Sequence, residues 1–252
     1  MIVEETQQKL RAMKMYGMAD ALQQQTLQPE TAALSFEDRF GLLVDQEWIC
    51  RENRKLKYRL ARARLRVREA CVEKIDYGIP RGLNQAALLR LTNSDWLAHR
   101  QNVIISGPTG SGKSFLACAL AHKACRDGYS ALYFRLSRLL EEMALCRADG
   151  SYGRRLQKLA GCQLLVLDDW GLSPLKDMER RDLLEILEDR HATRSTLATS
   201  QLPIEKWHEL IGDPTLADAI LDRLVHNAYK INLRGESMRK RQGKLTSTTG
   251  SE

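Results

Sequence analysis

Nowhere in these 252 residues do two cysteines stand in C-x-x-C spacing, although six are present. Cys50, Cys71, Cys118, Cys125, Cys146 and Cys162 are scattered, and the five histidines do not cluster near them. That argues against zinc and leaves reduced, buried thiols as the expectation. The sequence also lacks an apolar run long enough to span a bilayer. Its first residues, Met1-Ile2-Val3-Glu4-Glu5, are neither a basic nor an apolar leader. No membrane partner is predicted, and the expected compartment is the cytoplasm. Acid is missing from one stretch in particular. Between Arg51 and Arg68 the lone carboxylate is Glu52, among many Arg and Lys.

What is present starts with one loop, Gly107-Pro108-Thr109-Gly110-Ser111-Gly112-Lys113-Ser114. It fits G-x-x-x-x-G-K-[ST] at every fixed position. Val103-Ile104-Ile105 before it reads as a buried strand, and Phe115 to Ala121 after it as a packed helix, the context that the motif needs. Glycines let backbone N–H groups wrap an anion, and the helix N-terminus adds its positive dipole end. Lys113 reaches toward β- and γ-phosphates, and the Ser114 hydroxyl is a ligand for Mg²⁺. The pattern therefore points to a nucleoside triphosphate such as ATP, without saying what its energy drives.

A second motif is Leu164-Leu165-Val166-Leu167-Asp168-Asp169, an apolar strand ending in two carboxylates. In that Walker-B form, Asp168 holds Mg²⁺ opposite Ser114, and Asp169 polarises the attacking water as general base. Thr196 to Gln201 reads as a further strand with a polar end. Ser200 and Gln201 compete there for sensing the γ-phosphate or orienting water.

The rest of the chain frames these motifs. Residues 1 to about 26 predict one or two short helices broken near Gly17, with Leu10, Met13, Met18, Ala21 and Leu22 on a buried face. Ser35 is the expected N-cap of a long helix from Phe36 to about Ala70. Phe36, Phe40, Leu43, Trp48 and Ile49 suit packing onto the earlier helices. The second half keeps a thin apolar stripe of Leu56, Leu60, Ala63 and Val67 within the basic run. A solvated helix face normally mixes signs. This one predicts contact with nucleic-acid phosphates, through Arg54, Lys55, Arg59, Arg62 and Arg66, with little base specificity. The net charge of +7 and pI near 9.1 agree with an anionic partner. Residues 71 to 85 read as a connector, and 86–91 as a short helix. Trp96 borders the base pocket or joins the core. Ser137 can cap a helix from Arg138 to about Arg147, which is followed by a polar, basic loop over 149–155. Arg180 to His191, Trp207 to Ile211 and Leu216 to Asn227 are predicted helical, with a last short strand at 231–233.

These residues together resemble the IstB-type transposition helper ATPases, relatives of DnaC-type helicase loaders in the AAA+ class. The likeness rests on the phosphate loop and on Ser35-Phe36-Glu37-Asp38-Arg39, Ile75-Asp76-Tyr77, Pro80-Arg81-Gly82-Leu83 and Leu165 to Leu172. It continues through Ala198 to Pro203, Asp222-Arg223-Leu224 and Gly235-Glu236-Ser237-Met238-Arg239. The resemblance implies an α/β AAA+ P-loop NTPase, a parallel sheet flanked by helices, preceded by a small all-α N-terminal domain. The expected division is 1–70 helical, 71–85 connector, 86–239 ATPase and 240–252 disordered tail. It implies ATP-dependent homo-oligomers on double-stranded DNA and a DDE transposase as partner. Lys113, Asp169 and the first-sensor pair Ser200 and Gln201, of which Gln201 is the candidate carried forward, fit the hydrolytic machinery, Arg223 matches the trans-acting arginine finger, and Arg239 the second sensor arginine. Asp-Glu is common after this strand in AAA+ proteins; the shorter Asp169 suggests slow turnover. A helicase loader shares the same core and is the nearest alternative. A small-molecule kinase, or a scaffold with a dead nucleotide site, fits less of the sequence.

Overall fold

The computed structural model describes residues 2–235. Arg239, the turn expected around it and the tail from Lys240 lie outside the described residues. The chain divides into two compact units between Tyr58 and Arg59, ahead of the boundary expected near residue 70.

The first unit is helical: α1 (Ile2–Ala12), α2 (Tyr16–Leu27) and the start of α3 (Phe36–Ala63). The break between α1 and α2 falls at Met13–Met15, where Lys14 takes φ 60°, and not at Gly17. Gly17 instead lies inside α2 because α3 passes against it. A Cβ there would sit 2.7 Å from the Gln46 carbonyl and 2.8 Å from the Cys50 Cβ. Beside this contact the buried Glu47 accepts from Met18 N–H at 3.1 Å and from Arg51 at 2.6 Å. Ser35 caps α3 as expected, its Oγ accepting from Asp38 N–H at 3.1 Å. The predicted apolar faces are only half covered. Leu10, Ala19 and Ala21 are buried, but Met13, Phe36, Phe40, Trp48 and Ile49 are exposed.

α3 ends at Ala63, short of the predicted Ala70. Arg64 takes φ 52°, the left-handed conformation that stops a helix. The segment after it buries Leu65 and Ala70 in the second unit. There α4 (Gln85–Thr92), capped by the Asn84 side chain, and α5 (Asp95–Ala98) lead into β1 (Asn102–Ser106). Trp96 is core, its indole N–H donating to the Leu91 carbonyl. Next come α6 (Lys113–Arg126), β2 (Ala131–Arg135), α7 (Leu136–Ala148) and α8 (Tyr152–Gly161). The order closes with β3 (Leu164–Trp170), α9 (Asp177–Arg190), β4 (Ser195–Ser200), α10 (Trp207–Ile211), α11 (Pro214–Val225) and β5 (Ala228–Asn232).

Two expectations are corrected here. α7 begins at Leu136, with Arg135 and not Ser137 as its N-cap residue. The basic loop expected over 149–155 gives way to α8 from Tyr152. Its Leu159 is buried, and the Tyr152 hydroxyl lies within hydrogen-bond reach of the Asp182 and Glu185 carboxylates on α9, at 2.9 and 2.6 Å. Two glycines and three basic residues hid that helix, because its apolar face is narrow.

Among the described residues the sheet has five strands, all parallel, in the order β2-β3-β4-β1-β5. β1, β3 and β4 are covered on both faces, which is why they read as near-continuous apolar runs. Ile104, Leu165, Leu167 and Ala198 pack with Leu139, Met143, Leu183 and Ile186 from the helices. Trp170 stacks on Trp207 at 4.8 Å between ring centroids. This core fixes the carboxyl ends of β1, β3 and β4 side by side, where ligands of open parallel sheets bind.

Candidate nucleotide site

The phosphate-loop residues connect β1 to α6. Gly107, Gly110 and Gly112 take φ of 146°, 82° and 95°, conformations that side chains resist. At Gly107 there is also no room: a Cβ would lie 2.5 Å from the Leu233 carbonyl. Gly107 N–H donates to the Ser200 carbonyl, tying the loop to β4. The Lys113 ammonium donates to the carbonyls of Gly107 and Pro108 at 2.7 and 2.8 Å, so it points along the inside of its own loop. Ser111 Oγ is buried without a hydrogen-bond partner, as is Arg81 Nε nearby. Orphaned donors beside a glycine cradle fit a phosphate group that completes them.

The β3 carboxylates face this loop. Asp168 is fully buried. Its Oδ1 accepts from Ser114 Oγ at 3.1 Å and from the Thr199 hydroxyl, and its Oδ2 accepts from the Tyr133 hydroxyl. Burial, with the Asp168 carboxylate alongside, pushes the Tyr133 phenol well up, so it stays a donor. Ser114 and Asp168 supply adjacent hard oxygens, the donor type that Mg²⁺ takes. Among the described residues no cluster of three or more metal-ligating side chains exists. Ser114 and Asp168 would be the residues that hold Mg²⁺, an ion that usually keeps waters and phosphate oxygens among its ligands.

Asp169 points elsewhere than strand alternation dictates. The β3–β4 register shifts between Leu167 and Trp170, and Asp169 takes φ 62°. Such a bulge re-aims a side chain at a sheet's end. It leaves the Asp169 carboxylate on the pocket wall, one-fifth exposed, 3.4 Å from Arg135 Nε. Thr199 Oγ1 accepts from Asp169 N–H at 3.2 Å, so one threonine braces both carboxylate residues.

At the end of β4 the two competing side chains part. Ser200 is buried, donates to the Trp170 carbonyl and accepts from Leu202 N–H. Gln201 lines the pocket, and its Oε1 accepts from the Thr109 hydroxyl at 2.7 Å. The arrangement favours Gln201 for contact with a ligand.

The cavity in front of these groups measures about 590 Å³ and is walled by Lys113, Ser114, Phe115, Asp169, Gln201 and residues before β1. The latter were unforeseen. The expected connector supplies Lys74, Asp76 and Arg81 to the cavity wall. Arg81 is 3% exposed and donates to the Ser111 and Asp76 carbonyls, locking the phosphate loop from behind. Arg66, expected on the nucleic-acid stripe, stands 3.5 Å from Asp168 and 3.6 Å from Asp169. Helix periodicity carried past Ala63 concealed this, because the chain turns at Arg64.

The other basic-helix residues have varied surroundings. Arg59 donates to the Cys125 carbonyl at 2.9 Å. Arg54 lies over the Tyr16 ring, Lys55 pairs with Glu52 at 2.8 Å, and Arg62 is exposed. Glu52 and Glu47 thus mix signs along the helix more than the run of basic residues suggested. Arg223 is remote from the cavity. It ion-pairs with Glu188 and borders a groove with Arg100, Asn102, Arg194 and Thr196, at the amino ends of the strands. It cannot serve the loop of its own chain. Cys118, Cys125 and Cys162 are buried, and burial pushes the first two thiols up to about 11. Among the described residues no helix is long and apolar enough to cross a membrane.

Comparison with known proteins agrees with this geometry. Residues 8–246 match the family described as IstB-like ATP binding protein. An insertion sequence ATP-binding protein of Sinorhizobium fredii is 52% identical over 242 residues, 96% of this chain and 98% of that one. The insertion sequence IS21 ATP-binding protein of Pseudomonas aeruginosa is 32% identical, over 86% of this chain and 83% of that one. Among solved structures, DnaI matches with a TM-score of 0.58 at 20% identity, covering 66% of this chain and 91% of that one. The AMPPCP-bound DnaA of Aquifex aeolicus matches at 0.57 and 16% identity, over 73% and 57%. These likenesses show the fold of the AAA+ P-loop ATPases.

Proposed function

Because this chain belongs to the IstB-like ATP-binding protein family, we propose that it is an ATP-hydrolysing regulator of transposition. In this reading it gathers on double-stranded DNA as an ATP-dependent homo-oligomer and delivers the target site to a DDE transposase. The observation that carries the reading is the meeting of Ser114, Asp168, Asp169, Thr199 and Gln201 at the mouth of one glycine cradle. Both relatives named above are insertion sequence ATP-binding proteins, which supports the transposition context.

In the chemical step, backbone N–H groups of 107–114 and the Lys113 ammonium hold the β- and γ-phosphates. Ser114 and Asp168 would hold Mg²⁺, which would supply positive charge against the terminal phosphoryl group. Asp169 orients the water and takes its proton, positioned by the bulge and by Thr199. Gln201 reports on the terminal phosphate. Arg223 faces away from this cavity, so it completes the site of a neighbouring copy, where a guanidinium matches phosphate charge. Arg54, Lys55, Arg59 and Arg62 hold the duplex by its phosphates, with little sequence preference.

The test is Lys113→Ala in the full chain. It should weaken ATP binding by about a hundredfold, the worth of a charged hydrogen-bond set, and abolish nucleotide-dependent assembly on DNA. Unaltered ATP affinity, or equal coating of DNA without nucleotide, defeats the reading. Recovery of a replicative helicase instead of a transposase as the bound partner moves the function to helicase loading.

A further inference from the structure

We propose that Arg66 belongs to the triphosphate site, where it neutralises Asp168 and Asp169 in the absence of metal and turns to the terminal phosphate when Mg²⁺–triphosphate is bound. The inference rests on the reading of 107–114 as a triphosphate loop and goes beyond it.

Three observations carry it. First, position: the Arg66 guanidinium stands 3.5 Å from the buried Asp168 and 3.6 Å from Asp169, with a third of its side chain open to solvent. It lines the same cavity as Lys113, Ser114 and Gln201. Second, charge: Asp169 already has Arg135 at 3.4 Å, so two guanidinium groups balance two carboxylates. A divalent cation added between Ser114 and Asp168 leaves that corner over-neutralised, and like charges at such distances repel strongly. The guanidinium is then better placed on phosphate oxygens, which it matches as a planar fork. Third, backbone: Arg66 follows Arg64, whose φ of 52° ends α3 and turns the chain toward the cavity. Arg66 is thus a residue of the loop between helix and core, and the Arg64 turn is the reason it reaches the carboxylates.

The experiment measures equilibrium affinities of ATP and ADP, each over a Mg²⁺ titration, for the wild-type chain and for Arg66→Gln and Arg66→Lys. Arg66→Gln should weaken ATP by about tenfold while moving ADP by less than about threefold, since ADP lacks the terminal phosphate. The Mg²⁺ concentration needed for ADP binding should fall, because a competing cation has been removed from Asp168. Arg66→Lys, which keeps charge without the fork, should lie between. A role that is merely structural weakens both nucleotides alike and leaves the Mg²⁺ requirement unmoved, and that result overturns the proposal. So does an unchanged ATP-to-ADP ratio with weaker DNA binding, which returns Arg66 to the nucleic-acid stripe. Lys113→Ala measured alongside separates the two failures: if it retains ATP affinity, the loop assignment itself is lost.

Discussion

The two units of this chain use their apolar residues differently. In the unit after Tyr58, strands β1, β3 and β4 bury nearly every side chain, and helices cover both faces of the sheet. In the unit before it, Phe36 is 76% exposed and Trp48 67%. Phe36 and Phe40 stack on each other, centroids 6.0 Å apart, out in solvent. What holds that unit is closer to backbone packing: α3 against Gly17, small Ala19 and Ala21, and the Glu47 carboxylate on Met18 N–H. The lesson is that apolar periodicity on a helix announces a face without saying whether the chain itself covers it. A parallel strand leaves no such choice, because both of its faces must be covered.

This contrast can be broken from either side. The largest effect belongs to the sheet unit. Arg223→Ala should lower ATP hydrolysis in the assembled protein by about a thousandfold, the worth of a trans-acting arginine, while ATP affinity stays near wild type. Mixing it with an Asp169→Asn chain should restore part of the turnover, read by phosphate release. A mixture as inactive as its components contradicts a site shared between copies. On the helical side, Arg54→Gln with Lys55→Gln should leave ATP affinity intact. It should reduce the slope of log DNA affinity against log salt by about 0.9 for each phosphate no longer neutralised. An unaltered slope puts the DNA-binding surface elsewhere.

The smallest effect sharpens the comparison through acid. Burial pushes the Glu47 carboxyl up, but hydrogen bonds from Arg51, Met18 and Gly17 more than offset it, so its pKa lies below the ordinary 4.5. A depressed carboxylate contributes stability that is present above its unfolded value and lost as pH falls through the folded one. The helical unit should therefore loosen below about pH 4.5, seen as faster amide exchange in α2 and α3. Glu47→Gln should remove that dependence. Loosening that survives in Glu47→Gln assigns the acid sensitivity to another group.

Some of this architecture is legible in the order of residues. A full phosphate-loop pattern between an apolar run and a helical pattern predicts a strand, a loop and a helix, and β1 and α6 flank the loop as that pattern requires. Leu164 to Asp169 announce the facing carboxylates for the same reason, since local residue types dictate local backbone. Serine at 35 caps its helix because capping involves only three neighbouring residues. What escapes such reading is non-local. The Gly17 position looks like a break and is a close approach between helices. The expected connector buries Arg81 against the phosphate loop, thirty residues away in sequence from Ser111.

By itself, then, the amino-acid sequence determined the phosphate-loop pattern, the carboxylate strand and the presence of a basic helix, and its family resemblance implied the parallel α/β class. Tertiary structure alone decided that Thr199 braces both carboxylates, that Gln201 and not Ser200 faces the cavity, and that Arg223 looks away from its own loop. It also decided where α3 stops, and so carried Arg66 from the basic stripe to the carboxylates. The physical reason is one of range. Hydrogen bonds and caps within a turn are set by neighbours in sequence, whereas the direction of a side chain at the end of a strand depends on which strands lie beside it.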